Sequence, residues 1–257
     1  MKAITSVVAA LIVVIGDIVP LAKNASEDPL ARSIAAYAAL KSYADTGTIA
    51  VEMPGLVDRS KFKTFYRRDS ADFFLEYQGV TSGGPGRSDP QIDMSGQRMV
   101  LWMMNGELEA YNAVFQTHES YPKETANQPG VLIGASAGTN GASVLIPGLL
   151  YAKANLPSPI REIEQGSDGG FEAVDGRRCQ KIMGIASEYY PSGQRVNVRQ
   201  VTVWIDAETL LIRKVFEDTP KGYPIGQFLR KTVTIVPQAN PTLDDAKFKF
   251  NVPKTTR

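Results

Sequence analysis

The chain is poor in the residues that most often bind metals. Among its 257 residues there is one cysteine, Cys179, and one histidine, His118. A single cysteine excludes an internal disulfide and a cysteine cage for zinc or an iron–sulfur cluster, and a single histidine excludes a histidine-rich metal site. Metal chemistry would have to rest on carboxylates alone, so the sequence predicts no cofactor.

The chain also lacks an excess of charge of either sign. Its 28 lysines and arginines nearly balance its 27 aspartates and glutamates, for a net charge of +1. A charge this small creates no field that would attract a nucleic acid or an anionic membrane surface, and neither is predicted as a partner. Hydrophobic residues make up 43% of the chain, which suits one domain with a substantial core, and we expect a monomer.

The apolar run near the N-terminus is too short to span a bilayer comfortably. It extends from Val7 to Ile15, follows Lys2 and ends at Gly16 and Asp17. A short positive start followed by such a run is typical of a secretory signal peptide. We assign residues 1–25 to this signal and residues 26–257 to one mature domain, which predicts export to the periplasm. A buried N-terminal element and an uncleaved anchor are the alternatives.

The mature chain begins with a helix pattern and continues with a strand pattern. Asp28 and Pro29 suit the cap and first position of a helix, and apolar residues at helical spacing extend it to about Ser42. Segments rich in aromatic and β-branched residues, separated by turn residues, then predict antiparallel strands. The predicted strands cover residues 43–53, 62–68, 73–78, 98–105, 108–115, 160–164, 179–186, 198–206, 211–217 and 228–236.

Two segments interrupt the strand pattern. Residues 79–93 contain Gly-Gly-Pro-Gly at 83–86 and predict a mobile loop. Residues 123–154 carry short apolar runs separated by small residues and predict two short helices that lie over the sheet. Because no long helices connect the strands, the sequence predicts a mainly β (α+β) fold, an open, strongly curved antiparallel barrel of about ten or eleven strands.

Four segments resemble the LolA/LolB superfamily of periplasmic lipoprotein carriers, and more closely its predicted periplasmic relatives. They are KTFYRR at 63–68 followed by Phe73, VDGRRC at 174–179, VWIDAETLLIRK at 203–214 and LDDAKFKFNVP at 243–253. The resemblance implies an unclosed barrel with a helical lid, whose apolar interior receives acyl chains, and it gives Arg68 the role of holding the lid. The proline that follows this arginine in the family is Asp69 here, and the spacing to Phe73 is one residue longer.

The residues of strand 99–104 support the same interpretation. This segment, Met-Val-Leu-Trp-Met-Met, is apolar on both faces, whereas a strand wetted on one side alternates. Lid helices can cover one face, and the other can line a cavity in which Trp and Met side chains adapt to apolar ligands. A filled core without ligand space is the alternative. The predicted ligand-binding residues are Tyr66, Arg68, Phe73, Leu75, Trp102, Met104, Tyr111, Leu132, Ile133, Leu145, Leu149 and Trp204.

A competing hypothesis is lipid hydrolysis. Gly134-Ala135-Ser136-Ala137-Gly138 matches the Gly-x-Ser-x-Gly nucleophile motif, and Asp168-Gly169-Gly170 resembles the second motif of patatin-like hydrolases. A triad fails because His118 precedes the serine, and it is expected in a polar loop. A Ser136–Asp168 dyad needs intervening α/β layers for which the two motifs lie too close together. We therefore predict a non-enzymatic carrier that binds a lipid or acylated protein and meets a membrane-associated donor or acceptor protein.

Overall fold

A computed structural model of the chain describes residues 28–83, 92–121, 130–151, 158–161, 163–189, 195–219 and 229–253. The predicted signal peptide, residues 1–25, lies outside the described residues, as does the Pro-Gly part of the predicted loop. No helix in the described ranges is long and apolar enough to cross a membrane.

The described strands form one antiparallel sheet. Their bounds are β1 Ser42–Met53, β2 Leu56–Arg67, β3 Asp72–Gly83, β4 Ile92–Asp93, β5 Arg98–Met104, β6 Glu107–Asn112, β7 Thr117–Tyr121, β8 Ile163–Val174, β9 Arg177–Tyr189, β10 Arg195–Asp206, β11 Ile212–Thr219 and β12 Leu229–Ala239. The order across the sheet is β7-β6-β5-β3-β2-β1-β12-β11-β10-β9-β8, with β4 paired to β3. The edge strands β7 and β8 do not pair with each other along these ranges, so the predicted open antiparallel barrel is confirmed.

Within the described residues, one regular α-helix and three short ones accompany the sheet. Helix α1 spans Pro29–Ala39, and the Asp28 carboxylate caps it by accepting a hydrogen bond from Leu30 N at 3.0 Å. It ends before Ser42 because Leu40 is already extended. The short helices are α2 Gly130–Gly134, α3 Ala142–Leu145 and α4 Pro147–Leu150. A 3₁₀ turn, Ala137–Thr139, connects α2 to α3.

Most strand boundaries differ from the predictions, and the differences at β3, β7 and β8 change which residues belong to the sheet. Residues 79–83 and 92–93 belong to β3 and β4, so the predicted loop is shorter, and hydrogen bonds such as Ser82 Oγ to Asp58 Oδ1 hold the extension of β3 against β2. His118 lies in strand β7, which was predicted as loop because its residues are polar. Ile160 precedes β8 and lies in a buried turn. The described strands number twelve, against ten or eleven predicted.

The two faces of the sheet are covered by different parts of the chain. We call the face under α1 and the short helices the inner face, and the opposite one the outer face. Phe73, Leu75 and Tyr77 point to the inner face, whereas Phe74 between them points outward. The C-terminal segment, residues 241–253, covers part of the outer face and buries Phe248 completely. Both faces of β5 are therefore buried from Val100 to Met103, as its double-sided apolar pattern predicted.

Candidate functional site

The inner face is closed by a lid, which we define as residues 130–151. Its apolar side chains pack on the inner face with exposed fractions of 0–9%, and these are Leu132, Ala135, Leu145, Ile146, Leu149 and Leu150. The lid is broken into short helices because its sequence is rich in glycine and because Asn140 and Gly141 adopt left-handed conformations with φ of 49° and 84°. Helix α3 begins directly after this turn.

Arg68 joins the lid to the sheet and to α1. Its Nε donates to the carbonyl oxygen of Leu40 at 2.6 Å and its Nη2 to that of Tyr37 at 3.0 Å, both at the end of α1. Its Nη1 donates to the carbonyl oxygen of Leu150, at the end of the lid, at 3.4 Å. A guanidinium suits this position because carbonyl groups at helix ends lack partners and carry partial negative charge. The contact between Arg68 and the lid that the resemblance implies is thus present.

A cleft remains open between the lid and one end of the sheet. It has a volume of about 470 Å³ and lies between α2 and strands β5 to β7. Its apolar lining comes from Met99 and Leu101 of the sheet and from Val131 and Ala135 of the lid, all of which pack against the main core. Gly134 also lines the cleft, and a Cβ added there would meet no atom within 4 Å. The cleft therefore leads from the surface to the apolar inner face.

Six of the twelve predicted ligand-binding residues come together in the inner core. They are Tyr66, Phe73, Leu75, Leu132, Leu145 and Leu149. Arg68 borders this group. Tyr111 of β6 reaches the edge of the cleft, but its ring packs on the outer face. The side chain of Ile133 lies outside the described residues. Prediction from the sequence missed Met99, Leu101, Val131 and Ala135, although the alternation of β5 made Met99 and Leu101 one face of a strand.

Four predicted residues lie on the outer face. Trp102, Met104 and Tyr111 pack with the C-terminal segment, where the ring of Phe250 is 5.3 Å from that of Trp102 and 5.4 Å from that of Tyr111. Trp204 packs with Val174 and Cys179, and its Nε1 donates to Glu172 Oε2 at 3.1 Å. The apolar pattern marked these residues as buried but did not indicate which of the two faces the lid covers.

The two hydrolase motifs lie in local settings that differ from those of a serine hydrolase. A nucleophile elbow places its serine between a strand and a helix, whereas Ser136 lies in the turn that follows α2. Asp168 lies on edge strand β8, where its carboxylate accepts hydrogen bonds from Gly170 N at 2.8 Å and Gln180 Nε2 at 3.1 Å. The described strands form an antiparallel sheet, which differs from the α/β layers in which patatin-like hydrolases place these motifs.

A buried polar chain lies under α1, beside the lid. Tyr43 donates a hydrogen bond to Asp45 Oδ2 at 2.8 Å, and the oxygen of Tyr37 accepts one from Ile212 N at 3.1 Å. Burial raises the pKa of Asp45 to about 7, and the hydrogen bonds from Tyr43 and Thr64 only partly oppose it. In the part of the chain that the structure describes, no three His, Cys, Asp or Glu side chains group as metal ligands.

Comparison with known proteins finds solved structures of similar fold but low sequence identity. No family model and no curated protein matches the sequence. The structure is similar to LprF from Mycobacterium bovis, with 12% identity, a TM-score of 0.43 and coverage of 88% of this chain and 94% of that one. It is similar to the lipoprotein LppX from Mycobacterium tuberculosis, with 14% identity, a TM-score of 0.39 and coverage of 84% and 95%. It is also similar to the MucA–MucB complex from Pseudomonas aeruginosa, with 13% identity, a TM-score of 0.42 and coverage of 87% of this chain and 60% of that one. These values do not assign the chain to a family.

Proposed function

We propose that the protein binds the acyl chain of a lipid or acylated protein between the lid and the inner face, and that it acts as a carrier. The observation that carries this proposal is the apolar cleft that runs under the edge of the lid. Its volume of about 470 Å³ lies within the range of about 300–1,000 Å³ that is usual for ligand sites. The cleft is the entry, and the apolar side chains of the lid occupy the space that a bound chain takes over.

The lid is suited to move because its helices have little stability of their own. Helices α3 and α4 contain four residues each, far fewer than an isolated helix needs in water. Their stability comes from apolar contacts with the sheet, and an acyl chain offers the sheet contacts of the same kind. Replacing lid side chains by a ligand therefore exchanges one set of apolar contacts for another, whereas opening a regular sheet would break ladder hydrogen bonds.

Filling the cleft tests this proposal. Gly134→Phe places a ring in the cleft from a position where the added Cβ meets no neighbour, so the fold should be retained. We expect affinity for an apolar fluorescent probe to fall at least about tenfold, because the ring occupies the entry of the chain. Gly96→Phe is the matched control, since its Cβ also meets no atom within 4 Å and Gly96 lies outside the cleft.

The result can be compared with the lipid that the purified protein carries. Mass spectrometry after mild extraction should find an acyl-chain compound with the wild-type protein and less of it with Gly134→Phe. Equal probe binding by both glycine variants, together with an empty wild-type protein, would contradict the proposal and favour a structural domain with a filled core.

We also propose that the protein is exported to the periplasm, where a membrane-associated donor or acceptor would exchange the ligand. The support is the apolar run from Val7 to Ile15 after Lys2. A fusion of residues 1–30 to a reporter that is active only outside the cytoplasm should be active. The control is the same fusion with two charged residues placed inside the apolar run, which should be inactive. A wild-type fusion that stays inactive in the cytoplasm would overturn the localisation.

A further inference from the structure

A charged group interrupts the apolar inner face beside the lid. The Glu217 carboxylate bridges Arg199 Nη1 at 3.1 Å and Lys231 Nζ at 2.7 Å. Strand register brings the three side chains together. Glu217 pairs with Lys231 of β12 on one side and with Val201 of β10 on the other, and Arg199 lies two residues before Val201 on the same face. Glu217 is buried, with an exposed fraction of 3%, and Arg199 and Lys231 are partly buried, with exposed fractions of 17% and 12%. A charged group therefore lies on the surface that the proposed acyl chain would contact.

The left-handed turn of the lid lies directly over this group. A Cβ added at Gly141 would lie 3.3 Å from Lys231 Nζ, so the backbone of Gly141 packs against the ammonium group. The preceding residue, Asn140, donates a hydrogen bond from Nδ2 to Tyr77 OH at 2.8 Å and fixes the turn on the sheet. Opening the lid must remove this cover and expose Lys231 to whatever enters.

The chemistry of the group favours an anion. Burying an ammonium costs several kcal/mol unless its charge and its donors are satisfied, and a purely structural position of this kind is usually better filled by an apolar residue. An ammonium has three N–H donors, and one of them faces Glu217 Oε1 at 2.7 Å. A carboxylate or phosphate oxygen can accept the others in a charge-assisted hydrogen bond once the lid turn has moved.

We propose that the ligand is an anionic amphiphile whose carboxylate or phosphate binds Lys231, beside Arg199, while its chain lies along the apolar inner face. This inference rests on the proposed function and adds the class of ligand. The Val215 and Val233 side chains lie two residues before Glu217 and two after Lys231 on the inner face, so the head and the start of the chain would occupy adjacent positions.

The test compares a fluorescent polyunsaturated fatty acid with its methyl ester, at pH 8, where the acid is ionised. The wild-type protein should bind the acid about tenfold more tightly than the ester, as one charge-assisted contact allows. Lys231→Met should remove most of this preference and leave ester binding unchanged. Lys231→Arg should keep the preference. Arg230→Met is the matched control, because Arg230 directly precedes Lys231 in β12 and faces the outer side. Its Nε lies 3.7 Å from Asp218 Oδ2.

The possible outcomes are distinguishable. Equal affinities of the wild-type protein for acid and ester would overturn the headgroup inference and leave the proposed function standing. Equal loss of both ligands in Lys231→Met would also overturn it, since the lysine would then be structural. If neither the acid nor the ester binds, the proposed function itself is contradicted. Inorganic phosphate at millimolar concentration should not displace the acid, and displacement would mean that the site takes a free anion instead of an amphiphile.

Discussion

At the scale of single residues, Asp45 makes the stability of the fold depend on pH. Burial raises its pKa to about 7, whereas an exposed aspartate has a pKa near the ordinary value of 3.8. Between these two values the unfolded chain is deprotonated at this position while the folded protein still holds the proton. The folded state therefore binds more protons in this window, and the free energy of unfolding falls as pH rises through it.

We predict that Asp45→Asn removes this dependence. Asparagine is neutral at every pH and can still accept the hydrogen bond from Tyr43. The wild-type protein should lose up to roughly 4 kcal/mol of stability between pH 4 and pH 7, and the variant should lose much less. Urea unfolding at both pH values measures the difference.

The control for Asp45 is Asp206, a carboxylate whose pKa shifts in the opposite direction. Burial acts to raise the pKa of Asp206, but hydrogen bonds from Thr209 N and Arg213 outweigh it, so the net pKa is lowered. Asp206→Asn should therefore destabilise the protein at neutral pH, and its effect should shrink as pH falls below about 4. If Asp45→Asn keeps the wild-type pH profile, the carboxylate is not the buried acid described here.

At the scale of elements, two neighbouring arginines hold two different parts of the chain. Arg68 binds the end of the lid through the carbonyl oxygen of Leu150. Arg67 points to the outer face, where its Nη2 contacts Asp72 Oδ2 at 2.6 Å and Asp245 Oδ1 at 2.7 Å. Arg67 is the last residue of β2 and Arg68 begins the turn after it, so the two side chains leave the strand end toward opposite faces. Arg67 therefore secures the C-terminal segment, and Arg68 the lid.

This arrangement predicts a selective effect on hydrogen exchange. In the wild-type protein, amides of residues 132–145 should exchange much faster than those of residues 201–205, which lie in a central strand. Arg68→Leu should raise exchange in the lid at residues 145–151, since losing charge-assisted hydrogen bonds costs about 1–3 kcal/mol, and an apolar ligand should lower it. Arg67→Leu should instead raise exchange at residues 245–250. The same pattern in both variants would show that the arginines do not act on separate elements.

The sequence predicted the elements better than it predicted their contacts. The segment at 174–179 was matched to the family's turn into a strand, and Asp175 and Gly176 do adopt the left-handed conformations of a hairpin turn. The strand before this turn was predicted to end at residue 164, whereas β8 extends to Val174. Strand β7 was missed because Thr117, Glu119 and Ser120 are polar and exposed, so its residues lack the apolar alternation that identifies a strand. Backbone pairing with β6 makes it a strand, and pairing of this kind leaves no mark in the composition of an edge strand.

At the scale of the whole molecule, the fold divides the apolar residues between two covers. The lid and α1 take the inner face, and the C-terminal segment takes the outer face around Phe74 and Trp102. A sheet covered on both sides can release one cover and keep the other. This is the physical basis for expecting the lid to open while the C-terminal segment and the strands stay in place.

The sequence by itself determined the open antiparallel sheet, the short glycine-rich helices and the burial of both faces of β5, because these follow from local periodicity and turn chemistry. Only the tertiary structure decided which face each residue serves. Trp102 meets the C-terminal segment, Leu101 meets the lid, and Lys231 lies under Gly141, more than eighty residues away along the chain. Alternation assigns residues to two faces, but what covers a face depends on contacts between distant segments, which no local pattern encodes.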